Sequence, residues 1–311
     1  MENKRKYHII VGSKTYFDAK LPSFLKDDEI NTFLELIKLS DIEKQNCRIN
    51  THYTSILIVK NDNYLGIVES AHNCLGPLIE DLTTNEAEIY IHNSPRILKA
   101  YLENQHKREL IELEISCDEY EIKKDSELFV DNINIISAQI LGRQIAIEEI
   151  SKKLWYLTNV KRKKPYVIML YGNSILGKTE LRREFAKMFF NGKYLEKHLP
   201  MFKDSNYSEY FFVDVPNRRS FGFDLLERES NLIFFDGLDK CPEYFFSVFY
   251  TLFDNKQLKD AIYDVDISGI VIVLTSNYQT EDEMKKPLKL PIFYRIDKFI
   301  QFDDFSCETI C

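Results

Sequence analysis

The segment that most constrains the fold of this chain is residues 166–179, with the sequence YVIMLYGNSILGKT. An apolar, strand-like run over 167–171 leads into residues at the spacing of a phosphate-binding loop, which are Gly172, Gly177, Lys178 and Thr179. A helix-like segment, 180–190, follows directly. The order strand, loop, helix is the context that this loop requires.

Each residue type in this loop has a separate role in binding phosphate or its metal ion. Glycines let the backbone turn tightly, so that consecutive N–H groups point at a phosphate chain and the next helix adds its positive end. Lys178 would reach the β- and γ-phosphates, and the Thr179 hydroxyl would bind Mg²⁺. We therefore predict ATP and Mg²⁺ as cofactors rather than a purely structural glycine turn, with binding residues Gly172, Asn173, Ser174, Ile175, Leu176, Gly177, Lys178, Thr179 and Glu180.

A second apolar strand ends in an acid. The run LIFF begins after Asn231 and is followed by Asp236. A strand that delivers a carboxylate beside a phosphate-binding loop is what a Mg²⁺ site requires, which favours this interpretation over an ordinary turn aspartate. The predicted metal residues are Thr179 and Asp236.

Length and charge limit the classes of function. The 311 residues suffice for two domains, and a formal net charge of −8 disfavours a nucleic-acid partner, so protein partners are expected. The basic run 161–164 is interpreted as a solvated linker.

Six scattered cysteines form no C-x-x-C pair, which fits a cytoplasmic location, and we expect neither a signal peptide nor a membrane span.

Residues 1–132 are predicted to form a smaller α/β domain for recognition or docking of a protein partner. Helical spacing marks 28–39 and 95–105, and strand-like runs occur at 7–11, 54–59, 64–68 and 88–92. Asn-Asp-Asn at 61–63 predicts a hairpin between the second and third runs. His72 and Cys74 could form a nucleophilic pair, but ordinary loop and core chemistry is the favoured interpretation.

From Ile140 to Phe302 the order of motifs resembles the AAA+ ATPases, most closely the Clp class. Beyond the loop, the similar stretches are LGRQIAIEEI (141–150), GKTELRREFAKMFF (177–190), FFDGLDKCPEYFFSVFYTLFD (234–254), IVIVLTSN (270–277) and PIFYRID (291–297). The resemblance implies an α/β P-loop core with a five-stranded parallel sheet over residues 133–311.

The resemblance also implies roles for single residues. The segment with Ile140 and Leu141 would enclose the adenine, Asp236 would order the metal through water, and Asn277 would position the attacking water or the γ-phosphate. Arg295 would reach the nucleotide of a neighbouring subunit, so nucleotide would favour a homo-oligomer or a mixed ring.

One departure from the family bears directly on catalysis. The family has a water-activating glutamate after the Walker B aspartate, and here that position is Gly237. Glycine cannot accept a proton, so we expect weak or impaired hydrolysis, with Gly237→Glu raising the rate. Asp239 is kept as a candidate replacement base.

Two further departures concern chain length. A strand predicted at 211–215 leaves some twenty residues before Asp236, enough for one short helix near 223–229 but little for a substrate-gripping pore loop. The sequence ends shortly after Arg295, so we expect a domain without the family's helical lid, or with a lid supplied by a partner.

These features predict an ATP-binding protein that acts as an oligomeric switch or assembly module. Whether it is also an ATPase is left open, because Gly237 replaces the glutamate that would activate water. The alternative is an active Clp-like ATPase that remodels proteins, possibly with a partner subunit. An AAA+ protein acting on nucleic acid is less favoured because of the acidic balance.

Overall fold

The computed structural model describes residues 4–25, 33–38, 53–120, 144–160, 162–173, 178–202, 206–212 and 218–302. The chain divides into two compact units. The first comprises Met1–Glu119, Glu209–Glu227 and Lys259–Asp264, and the second comprises Tyr120–Ser208, Arg228–Leu258 and Val265–Cys311. The predicted boundary between residues 132 and 133 lies outside the described residues.

The first unit contains a four-stranded sheet in which every pairing is parallel. Its order is β2-β3-β1-β4, where the strands are β1 (Lys6–Val11), β2 (Thr54–Val59), β3 (Thr83–His92) and β4 (Glu112–Cys117). Ile9, Leu57 and Ile89 lie in the core and have no exposed surface. An α/β arrangement of this part of the chain is thereby confirmed.

Helices flank this sheet because parallel strands need crossover connections. Helices of the first unit include Lys14–Lys20, Glu69–His72, Leu75–Leu82, Arg96–Lys107 and Phe221–Leu226, with 3₁₀ turns at Ser23–Leu25 and Asn61–Gly66. Residues 33–38, the described part of the helix predicted over 28–39, are helical.

The predicted hairpin after β2 is wrong. Residues Asn61–Gly66 form a 3₁₀ helix instead, and the Asn63 side chain accepts a hydrogen bond from the Lys60 backbone N–H at 2.7 Å. Asparagine offers the backbone such local bonds, and the same chemistry suits either a hairpin or a helical turn. The parallel pairing of β2 with β3 decides for the turn.

Buried polar contacts connect the two inserted segments to the rest of the first unit. Glu227 Oε1 accepts hydrogen bonds from Asn61 Nδ2 at 2.8 Å and Asn93 Nδ2 at 3.3 Å. The Tyr263 hydroxyl donates to Asn61 Oδ1 at 2.9 Å. Burial lowers the pKa of the neighbouring His92, while the Glu227 carboxylate acts in the opposite direction.

The second unit contains a five-stranded sheet, and all its pairings are parallel, as predicted. The order is β11-β5-β10-β7-β6, where the strands are β5 (Tyr166–Gly172), β6 (Leu195–His198), β7 (Leu232–Asp236), β10 (Val271–Thr275) and β11 (Lys298–Phe302). A separate two-stranded ribbon pairs β8 (Gln257–Lys259) with β9 (Asp264–Asp266).

Helices of the second half of the chain include Gln144–Asn159, Lys178–Phe189, Phe246–Asp254 and Glu281–Phe293. Shorter 3₁₀ turns lie at Leu199–Met201, Leu238–Lys240 and Glu243–Phe245. Among the described residues, no helix combines the length and the apolar character needed to cross a membrane.

The strand predicted at 211–215 is wrong where the structure describes it. Phe211 ends the helix Asn206–Phe211, its ring packs against Phe221 with centroids 4.7 Å apart, and residues 213–217 lie outside the described part. The sheet obtains its edge strand from β6 instead. Residues 199–231 therefore separate β6 from β7, and this connection is longer than the predicted one that left little chain for a pore loop.

Candidate functional site

The carboxyl ends of three adjacent strands lie side by side along one border of the second sheet. This border, formed by strand ends and not by an outermost strand, is called the sheet edge below. β10 lies between β5 and β7, and all three run in the same direction. Their ends place Gly172, Asp236 and Thr275 at that edge, which is where open parallel sheets bind ligands.

Gly172 ends β5 in a conformation that requires glycine. Its φ is 118°, and a Cβ atom would stand 2.2 Å from the backbone oxygen of Phe302 on β11. Asn173, which follows, is exposed. The rest of the predicted phosphate loop, Ser174 to Gly177, and the predicted adenine residues Ile140 and Leu141 lie outside the described residues.

Lys178 is the first residue of the helix Lys178–Phe189 and is only 7% exposed. Its Nζ donates to three acceptors at the sheet edge, the backbone oxygens of Gly172 (2.9 Å) and Ser276 (2.6 Å) and Oδ1 of Asn277 (3.2 Å). Burial lowers the pKa of Lys178, and the carboxylates of Asp239 and Asp236 act in the opposite direction.

Two other predicted residues follow Lys178 in the same helix. Thr179 is its second residue, and the structure describes its backbone but not its side chain. Glu180 lies in the first turn and is exposed to solvent. Only Lys178 of this trio therefore has described contacts at the sheet edge.

Asp236 ends β7 among hydrogen-bond donors and cations. Thr275 Oγ1 donates to its Oδ1 at 2.5 Å, His198 Nδ1 lies 3.3 Å from its Oδ2, and Arg182 Nη1 lies 3.8 Å from its Oδ1. Burial alone would raise the pKa of Asp236, but the Thr275 hydrogen bond, the Arg182 charge and the contact with His198 together outweigh burial, so the pKa is lowered. The carboxylate is thus kept ionised, as a cation ligand must be.

Asp239 and Asn277 form a two-point contact. Asp239 Oδ1 accepts the backbone N–H of Asn277 and its Oδ2 accepts the Asn277 side-chain amide, both at 3.1 Å. Asn277 in turn presents Oδ1 to Lys178. Both oxygens of Asp239 are therefore engaged in positioning Asn277, which disfavours Asp239 as a free base.

Gly237 has a backbone conformation that explains why no side chain is accommodated there. Its φ is 80° and its ψ is 47°, in the left-handed region, and its N–H donates to Thr275 Oγ1 at 3.1 Å. A Cβ atom at this position would stand 2.9 Å from Cγ of Pro200. A glutamate at position 237 consequently carries a folding cost of its own.

We expect Gly237→Ala to lower the free energy of unfolding by about 2–4 kcal/mol, from left-handed strain and overpacking together. Gly192→Ala is the matched control, because Gly192 has a φ of 75° with nothing within 4 Å of its built Cβ. The control should lose only about 1–2 kcal/mol. Urea unfolding of both variants measures the difference, and equal losses would contradict the Pro200 contact.

The described contacts of Arg295 do not involve Lys178 or the residues that Lys178 contacts. Its Nε donates to the Asp254 carboxylate, its Nη1 donates to the Pro291 carbonyl at 2.5 Å, and its guanidinium carbon lies 5.2 Å from the Tyr250 ring centroid. The side chain remains 31% exposed. The structure thus brings Lys178, Asp236, Asp239 and Asn277 together, and it holds Arg295 elsewhere, paired with Asp254.

Sequence reasoning missed several contributors to this edge, namely Arg182, Glu196, His198 and Thr275. Thr275 contacts both Asp236 and Gly237, and Arg182 Nη1 lies 2.7 Å from Glu196 Oε1. The alternation Glu196-Lys197-His198 could have indicated two polar side chains on one face of a strand. The wrong position of the second strand concealed that signal.

Comparison of the chain with protein-family models and with curated proteins gives no match.

Proposed function

We propose that this protein binds ATP with Mg²⁺ as an AAA+ switch or assembly module whose hydrolysis is weak. The observation that carries the proposal is the arrangement around Lys178, an almost fully buried ammonium group held at the carboxyl ends of parallel strands beside Asp236, Asp239 and Asn277. The order of motifs from Ile140 to Phe302 adds support from sequence.

The residues of this edge fit a triphosphate and its cation. The Lys178 ammonium has three donors, and they are directed at one acceptor at the end of β5 and two acceptors just after β10. Phosphate oxygens could replace those acceptors. Asp236, with a lowered pKa, and the Thr179 hydroxyl would hold Mg²⁺, which neutralises phosphate charge.

Impaired hydrolysis follows from the residue after Asp236. Gly237 cannot act as a base, and Asp239 is committed to Asn277 through both of its oxygens. A general base contributes about 10² to 10⁴ in rate. The engagement of Asp239 therefore favours a switch over the alternative of an active Clp-like remodelling ATPase.

Assembly through Arg295 is part of the proposal. The Asp254 carboxylate and the Tyr250 ring hold the guanidinium at the surface, where a neighbouring subunit's triphosphate could meet it. Nucleotide would then stabilise the oligomer by mass action. The first unit is assigned recognition of a protein partner within this switch.

The test compares the size of the protein's assemblies with and without a slowly hydrolysed ATP analogue. Bound nucleotide is counted in each size fraction. We expect saturable binding and a larger species with the analogue, and Arg295→Ala should bind nucleotide yet remain small. Arg183→Ala, which removes an exposed arginine of the helix Lys178–Phe189, is the control. Absence of saturable binding contradicts nucleotide recognition, and an unchanged assembly of Arg295→Ala contradicts the role of Arg295.

A further inference from the structure

Two carboxylates and one imidazole converge at the end of the second sheet's edge strand. One ligand atom from each of Glu196, His198 and Asp236 lies within 4.8 Å of the other two. His198 Nδ1 is 3.3 Å from Asp236 Oδ2, and His198 Nε2 is 3.7 Å from Glu196 Oε1. The side chains of His198 and Asp236 are 51% and 41% exposed, so solutes can reach the cluster.

The strand geometry is the reason these groups meet. Parallel pairing places His198 directly opposite Asp236 and Glu196 opposite Phe234. Residues two apart on a strand point to the same face, so Glu196 and His198 share one face of β6. Backbone register therefore brings the three side chains to one place on the sheet.

We infer that this cluster binds a first-row transition-metal dication, with a nitrogen of His198 and carboxylate oxygens of Glu196 and Asp236 as ligands. The inference rests on the proposed function in one respect, because Asp236 is also the proposed Mg²⁺ residue. Imidazole favours transition metals, whereas Mg²⁺ takes oxygen ligands and keeps several waters. His198 thus changes the cation preference of the nucleotide site.

Distances and charge are compatible with such an ion. Ligand atoms about 2.1 Å from one octahedral ion lie roughly 3 Å apart when adjacent and 4.2 Å apart when opposite, so the three atoms must close by less than about 2 Å. The Glu196 Oε1 atom is buried and has no hydrogen-bond donor in suitable geometry, although Arg182 Nη1 stands 2.7 Å away. Arg182 offsets one of the two carboxylate charges, and a net negative charge remains to attract a cation.

The inference is tested by titrating the nucleotide-free protein with Co²⁺, followed by its visible absorption, and separately with Mg²⁺ by calorimetry. We expect one Co²⁺ per chain, at least about tenfold weaker Co²⁺ binding in His198→Gln, and less than about twofold change for Mg²⁺. Glu196→Gln, of unchanged shape, should also weaken Co²⁺. His106→Gln, on the helix Arg96–Lys107 of the first unit, is the control and should leave Co²⁺ unchanged.

Several outcomes overturn the inference: no saturable Co²⁺ site, equal Co²⁺ affinity in a folded His198→Gln variant, or parallel losses of Co²⁺ and Mg²⁺. Labelled ATP binding is measured separately on the same protein with Mg²⁺ present and without Co²⁺. If ATP binds and no Co²⁺ site exists, only the metal inference fails. If the Co²⁺ site exists and ATP does not bind, only the proposed nucleotide function fails.

Discussion

Replacing Lys178 by methionine is expected to weaken ATP binding by about a hundredfold, which corresponds to about 3 kcal/mol. Lys178 is 7% exposed and its ammonium group is surrounded by acceptors, so its charge acts in a poorly solvated environment and is only weakly screened. Methionine keeps most of the unbranched chain and removes the charge. Equilibrium binding of labelled ATP to the two proteins measures the effect.

Lys187→Met is the matched control for this prediction. Lys187 lies on the same helix, pairs with Glu184, and has a side chain that is 64% exposed. Its loss should leave ATP binding within about twofold, since exposed ion pairs are weak. Thermal melting confirms that each variant is folded, because Lys178→Met leaves three acceptors without their donor. Nearly unchanged ATP affinity in folded Lys178→Met would contradict the assignment of the phosphate site.

Much of the second unit could be predicted from sequence because its central strands carry a strong signal. Parallel strands covered on both faces are continuous apolar runs, and β5, β7 and β10 have that character. Glycine and aspartate at the ends of β5 and β7 mark where those strands stop. This part of the prediction therefore depended on burial, which sequence encodes directly.

The edge strand β6 could not be predicted in the same way. Its residues, LEKH, are half-buried or exposed, so the apolar pattern that marks a central strand is absent. The aromatic run near Phe211 has a stronger strand-like pattern, yet Phe211 buries its ring from a helix. Tertiary packing overrides local propensity at both places. The Glu196–His198–Asp236 cluster was missed for this reason.

The backbone conformation at Gly237 and the contacts of Asp239 could be predicted from sequence only in part. The absence of a glutamate at position 237 was visible, and its expected consequence for hydrolysis stays a prediction. The left-handed φ of Gly237 and the nearness of Pro200, separated by 37 positions in sequence, required coordinates. Likewise the two hydrogen bonds from Asn277 show what Asp239 does, which spacing alone left open.

Phosphate release from saturating ATP is expected to be barely above background, about 10² to 10⁴ below an enzyme with a positioned base. Gly237 supplies no carboxylate, and the Asp239 carboxylate positions Asn277. Restoring an acid by Gly237→Glu should raise release per folded molecule. Because the Pro200 contact also destabilises that variant, its rate has to be normalised to the folded fraction.

The most direct test of an ATP-binding switch with weak hydrolysis is steady-state phosphate release by the unmodified protein. The ATP concentration is one that a parallel binding measurement shows to saturate the site. We predict a filled site and release close to the rate without protein, with Asp239→Asn leaving that low rate unchanged within about threefold. Brisk release by the unmodified protein that disappears in Asp239→Asn would contradict it.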